Sequence, residues 1–185
     1  SYNNLSGDGW LIYTGKLTKE RSIKNLLFAT KECILRNKKF KGLKFIGHVN
    51  NAYRKEVFQM GLDKNVQFFD EIEQSLIKDV IKDCSGLILI EANMEYSPFL
   101  PSKFADYATL LKPILAIVPE RSQVSDYLSK YGGGIVCGFD LVSITNGINQ
   151  IINGRMTGST RLANYFSNSN VSHIYSEIFQ NVIKD

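Results

Sequence analysis

Six short apolar runs, Trp10–Thr14, Leu43–Gly47, Val66–Phe69, Gly86–Glu91, Ile114–Val118 and Gly134–Cys137, recur along the chain with longer stretches between them. Each run is too short for a helix, and most lack the polar alternation of a strand with one wet face. They read as strands buried on both faces. The intervening stretches carry helical periodicity. Ile23, Leu26, Leu27, Thr30 and Ile34 repeat at i, i+3 and i+4, as do Ile72, Leu76 and Val80 with Ile77 and Ile81. Alternating strand and helix around fully apolar strands predicts an α/β domain with a doubly wound parallel sheet. For six strands the expected order is 3-2-1-4-5-6, with a ligand crevice between the first and fourth. The tail, Leu141–Ile152, Ser159–Ser167 and Val171–Ile183, reads as three helices. Ser159 or Thr160, and Ser169 or Asn170, are the candidate N-caps.

The segment Pro98 to Pro113, PFLPSKFADYATLLKP, lies between the fourth and fifth runs. It opens with two prolines and turns helical, so it places a helix N-terminus at the expected crevice. Pro101 suits the first helical turn. The N–H groups of residues 102 to 104 are then free to meet an anion. Lys103 adds positive charge, and Asp106, a turn later, offers acceptors for a sugar hydroxyl. The plainer reading is a surface helix with a proline start. The loop after the first strand carries Gly15, Lys16, Thr18, Lys19 and Arg21. In the predicted order the two loops face each other. They gather Lys16, Arg21, Lys103 and a helix end around one point, a constellation suited to a diphosphate. Neither G-x-x-x-x-G-K-[ST] nor G-x-G-x-x-G occurs, which weakens the case for a mononucleotide P-loop or a dinucleotide site.

At 185 residues, 44% hydrophobic and 22% charged, the chain suits one globular domain. Its net charge of +4 is too small to argue for nucleic acid but is compatible with a small anionic ligand. The cluster Arg36, Lys38, Lys39, Lys41 reads as a solvated helix end. Cys33, Cys84 and Cys137 are scattered in apolar surroundings and read as reduced core thiols of a cytoplasmic protein, with no disulfide frame or metal site. His48 and His173 share no ligand spacing with them. No apolar run reaches transmembrane length, and no signal peptide is visible. Residues 1–9 are polar and glycine-bearing. Without an initiating Met, they read as a linker or the boundary of a piece cut from a longer protein, with 10–185 as the domain.

Pro101-Ser102-Lys103-Phe104, Asp106-Tyr107 and Leu111-Lys112-Pro113-Ile114-Leu115 together resemble the donor-binding motif of group 1 (family 4) glycosyltransferases. One branch of that family reads P-S-K-hydrophobic-x-E-Y and then G-K-P-hydrophobic-hydrophobic. Gly15-Lys16-Leu17 with Glu20-Arg21-Ser22 resembles the family's G-R-L-x-x-E-K-G. Val66 to Phe69 and Gly132 to Gly138 resemble two further segments, so the likeness covers roughly 150 residues in order.

The resemblance implies the C-terminal, donor-binding half of a GT-B glycosyltransferase, a Rossmann-like domain. It implies that Lys16 and Arg21, where the family has Arg and Lys, contact the donor diphosphate and stabilise the leaving group. It puts Asp106 on the glutamate that holds the donor ribose and Asp70-Glu71-Ile72 near the nucleobase. Glu71 read on its own is a helix-start acid favoured by the dipole. Gly15, Ser102 and Lys103 complete the expected donor site. Eight residues before Asp106, where the family's E-x7-E motif has its first glutamate, this chain has Pro98. Glu91 and Glu95 lie nearby without the spacing, and each reads as a solvated loop residue. The nucleotide-sugar enters as substrate, with no separate cofactor and no metal. The expected partners are an N-terminal acceptor domain supplied elsewhere and a saccharide or lipid-linked acceptor. The expected location is the cytoplasm, with peripheral contact at the inner face of the membrane allowed through the other half. Family membership implies retention of anomeric configuration. The isolated domain is expected to bind donor and catalyse little. Two alternatives stand beside this: a non-catalytic Rossmann-like ligand-binding or interaction domain, and half of a nucleotide-sugar epimerase, whose characteristic histidines are not evident.

Overall fold

The structure is a computed structural model that describes residues 7–167 and 169–172. Six strands form a parallel sheet: β1 (Trp10–Thr14), β2 (Gly42–Ile46), β3 (Val66–Phe69), β4 (Gly86–Ile90), β6 (Ile114–Ile117) and β8 (Gly134–Cys137). Their order is β3-β2-β1-β4-β6-β8, the doubly wound order expected from the apolar runs. Two short strands, β5 (Tyr96–Ser97) and β7 (Arg121–Ser122), pair with each other beyond the ends of β4 and β6.

The helices are α1 (Lys24–Arg36), α2 (Asn51–Gln59), α3 (Gln74–Ile81), α4 (Ser102–Thr109), α5 (Gln123–Tyr131), α6 (Leu141–Ile152) and α7 (Thr160–Tyr165). Side chains alternate across the sheet and fill two separate cores. Leu11, Tyr13, Phe45 and Ile88 face one core with α1 and α6, while Ile12, Leu87, Leu89 and Ala116 face the other with α4 and α7. Burial on both faces is why the strands carry so few polar residues. The three cysteines are buried and unpaired, and burial pushes each thiol up to about 11.

Local signals set the ends of several elements. Asp140 and Ser159 accept hydrogen bonds from the first-turn N–H groups of α6 and α7. Gly132 and Gly133 have φ of 73° and 94°, and turn the chain from α5 into β8. The third tail helix, with His173, falls mostly outside the described residues, of which 169–172 are helical. Residues 1–6 of the expected linker also lie outside them. The Gly9 N–H donates to the Ser85 hydroxyl at 2.8 Å and its carbonyl accepts from Lys41 N–H, so this turn is tied to the sheet.

Candidate functional site

β1 and β4 are neighbours, yet they pair only at Leu11–Gly86 and Ile12–Leu87. Beyond Ile12 the two strands part, while β1 stays paired with β2 as far as Thr14. A crevice therefore opens at the carboxyl ends of the strands, where the direction of winding reverses. On the β4 side, the Thr14 N–H donates instead to the Tyr107 hydroxyl at 2.9 Å.

Two cavities occupy this crevice. One of about 280 Å³ is lined by Gly15, Glu71, Ser102, Lys103 and Asp106, with Ile46, Ile72, Ile77 and Leu110 as its apolar wall. Another of about 260 Å³ is lined by Lys16, Arg21, Pro101, Ser102 and Lys103. Ser102 and Lys103 border both, so the structure brings together all seven residues singled out in the sequence. Lys16, Glu71, Ser102 and Asp106 are exposed, and Arg21 and Lys103 half-buried.

Local geometry aims these groups. Pro101 is extended, with ψ 132°, and α4 begins at Ser102. Proline thus stands one position earlier than expected. The N–H of Phe104 is not free, because it donates to the Pro101 carbonyl at 2.8 Å. Gly15 has φ 95°, and a Cβ there would lie 3.1 Å from Lys103 Nζ. The missing side chain lets Lys103 reach from α4 across the end of β1, where its Nζ sits 3.7 Å from the centre of the Tyr13 ring. Burial, and secondarily the Arg21 charge, push the Lys103 amine down to about 7. Arg21 Nη1 donates to the Lys16 carbonyl at 3.3 Å and to the Tyr13 hydroxyl at 3.4 Å.

Two sequence expectations need correction. Glu91 is not a solvated loop residue. It is 7% exposed, and neither carboxylate oxygen has a hydrogen-bond partner among the described residues. Desolvation raises its carboxyl above the usual range, although the nearby Ser97 hydroxyl and the Arg21 charge both favour ionisation. The chain after β4 brings the buried Ser97 beside this carboxyl, and a strand-end acid carries no sequence mark of such a cover. Glu71 is not a helix-start acid either: Glu73 takes the N-cap position of α3, and Glu71 lies before it, on the cavity wall. Glu95 is exposed, as expected. Tyr13 escaped notice because a buried aromatic in a strand reads as core. On the segment between β4 and α4, Met94, Tyr96, Phe99 and Leu100 are exposed.

No protein-family model matches the chain, and no curated protein matches it in sequence. Solved structures do match in fold. The GtfA/B complex superposes with a TM-score of 0.72 at 13% identity, over 97% of this chain and 37% of that one. AviGT4, a glycosyltransferase involved in avilamycin A biosynthesis, gives 0.71 at 11% identity, over 98% of this chain and 54% of that one. This chain has the fold of a GT-B half domain. The same half-domain fold extends to the UDP-GlcNAc 2-epimerase of Methanocaldococcus jannaschii, in complex with UDP-GlcNAc and UDP. That match scores 0.60 at 14% identity and covers 97% of this chain and 47% of that one. The half domain therefore spans roughly a third to a half of the chains it resembles. Among its described residues no helix is long and apolar enough to cross a membrane.

Proposed function

We propose that this half domain binds the nucleotide-sugar donor of a glycosyltransferase. The observation that carries the reading is the convergence of Lys16, Arg21, Lys103 and the α4 N-terminus on one crevice at the winding reversal. Lys16, Arg21, a protonated Lys103 and the backbone N–H groups of Ser102 and Lys103, which have no partner among the described residues, suit a diphosphate. The apolar wall of Ile46, Ile72, Ile77 and Leu110 suits a base, with Glu71 at its edge. Asp106 lies between, where ribose hydroxyls would donate to its carboxylate.

In transfer, the bond from the sugar's anomeric carbon to the β-phosphate oxygen breaks, and that oxygen gains negative charge. Lys16 and Arg21 are assigned to stabilise it, with Lys103 and the helix N-terminus adding to the field. The acceptor, a saccharide or a lipid-linked one, would be held by a second domain outside these residues. The exposed Met94, Tyr96, Phe99 and Leu100 suit a contact with that domain. A second reading, half of a nucleotide-sugar epimerase, draws on the fold match to UDP-GlcNAc 2-epimerase. Both readings share the donor site.

The test is a thermal-shift screen of UDP, GDP and ADP at millimolar levels. A ligand selective for the folded state raises the melting temperature by mass action. A flat response to all three counts against a donor site. Activity of the full-length protein on a nucleotide-sugar then separates transfer from epimerisation.

A further inference from the structure

We infer that Tyr13 is a positioning residue that arranges the cations of the crevice before any ligand arrives. This rests on the donor-site reading and adds a residue that nothing in the resemblance assigns. Tyr13 lies at the end of β1, fully buried, and its ring packs at a tilt against Phe45 with centroids 5.7 Å apart. Two of its features point toward the site. The hydroxyl donates to the Lys16 carbonyl at 2.9 Å and accepts from Arg21 Nη1 at 3.4 Å. The ring face carries Lys103 Nζ at 3.7 Å.

One side chain thus touches all three cationic residues: Lys16 at its backbone carbonyl, Arg21 at its guanidinium and Lys103 at its amine. Like charges held around one point repel, and each long side chain loses rotamer freedom when fixed. A neutral aromatic hub lowers both costs. Its hydroxyl fixes the Arg21 fork without neutralising it, as a carboxylate would. Its π-face attracts the Lys103 ammonium without forming an ion pair. The cations stay available to an anion, and their positions are set in advance, which raises affinity by preorganisation. Gly15 completes the device, since its φ of 95° favours glycine and the missing Cβ leaves Lys103 room that a side chain would narrow.

Two substitutions separate the two features. Tyr13→Phe keeps the ring and removes the hydroxyl, and Tyr13→Leu removes both. In the ligand-free chain, NMR should show the Arg21 guanidinium protons exchanging faster with solvent in Tyr13→Phe than in the parent. The Lys103 titration midpoint should hold in Tyr13→Phe and fall in Tyr13→Leu. By calorimetry at about pH 6, where Lys103 is largely charged, Tyr13→Phe should bind inorganic pyrophosphate about threefold to tenfold more weakly. Because both variants act on one interaction, Tyr13→Phe should add little in an Arg21→Ala background. Unchanged Arg21 exchange in Tyr13→Phe overturns the inference, as does full additivity with Arg21→Ala. If the parent binds neither pyrophosphate nor any nucleoside diphosphate, the donor-site reading fails, while the ligand-free exchange still decides the role of Tyr13. Should Tyr13→Leu not fold, the Tyr13→Phe measurements stand alone.

Discussion

The Tyr107 hydroxyl on α4 accepts the Thr14 N–H at 2.9 Å and meets Thr14 Oγ1 at 3.0 Å, joining the donor-side helix to the end of β1. Thr14 has lost β4 as a pairing partner at this point, so the phenol supplies what the sheet no longer does. Tyr107→Phe leaves a buried N–H unpaired and should destabilise the fold by about 1 to 3 kcal/mol. Urea unfolding measures it. A loss under about 0.5 kcal/mol would mean that water or a shift of the backbone replaces the phenol.

Lys103 makes ligand binding pH-dependent. Its amine titrates near 7 in the folded chain, because burial and then Arg21 disfavour the charge. A diphosphate favours the charged form, so binding should take up a proton when the pH is above about 7. Affinity should fall as pH rises through that value. The sign for stability is opposite. The unfolded amine titrates near 10.5, so between about 7 and 10.5 the unfolded chain holds more protons. In that window Lys103 makes stability rise with pH. Lys103→Met should flatten both slopes, read by calorimetry in buffers of different ionisation enthalpy and by unfolding across the pH series.

Glu91 predicts a slope of the other sign. Its carboxyl is raised by desolvation, so the folded chain holds the proton to higher pH than the unfolded one. The contribution of Glu91 to stability is full below the ordinary value of 4.5 and is lost as pH climbs through the raised value. Glu91→Gln keeps the shape and removes the charge. It should leave stability near that of the parent at low pH and exceed it at neutral pH. Equal stabilities at both ends would mean that Glu91 is solvated in the folded chain.

Leu111 carries a strain that the sequence partly announces. Its φ is 55°, the left-handed region, at the position where the G-K-P motif that the segment resembles has glycine. Gly158 packs closely against this residue: a Cβ on Gly158 would lie 2.2 Å from the Leu111 backbone. Left-handed geometry costs a side-chain-bearing residue about 1 to 2 kcal/mol, and glycine adds about 0.5 to 1 kcal/mol of unfolded-state entropy. The Leu111 side chain is half exposed, so little packing is lost. Leu111→Gly should raise stability by about 0.5 to 1 kcal/mol. A lower denaturation midpoint would contradict this.

The strands were legible because each is buried on both faces and so reads as an unbroken apolar run. The two site loops were legible because glycine, proline and cations punctuate them. What stayed hidden has a common cause, which is that cover is a tertiary property. Helix α2 buries only Val57 and lacks an apolar stripe. Strands β5 and β7 are two residues each, held by one another and not by local propensity. Glu91 looks solvated until the following segment brings Ser97 beside it. Tyr13 differs from an ordinary core aromatic only in what its hydroxyl and ring face meet, and those partners come from other parts of the chain.

The ribose contact is the sharpest test of the site's orientation. Asp106 is exposed on the wall of the larger cavity, between the cation end near Lys103 and the apolar wall at Leu110. If ribose hydroxyls donate to its carboxylate, Asp106→Asn keeps the size but loses the charge-assisted acceptor. Affinity for a nucleoside diphosphate should fall by about 1 to 2 kcal/mol. Inorganic pyrophosphate has no ribose and should bind Asp106→Asn as it binds the parent, or slightly tighter, since one negative charge near the anion is gone. Glu95→Gln serves as the control: Glu95 is exposed and lines neither cavity described in the crevice, so nucleoside diphosphate binding should be unchanged. Calorimetry on both ligands gives a two-by-two comparison. Equal losses for both ligands would place Asp106 at the phosphate end. No loss for either would remove it from the site and turn the ligand's ribose toward Glu71.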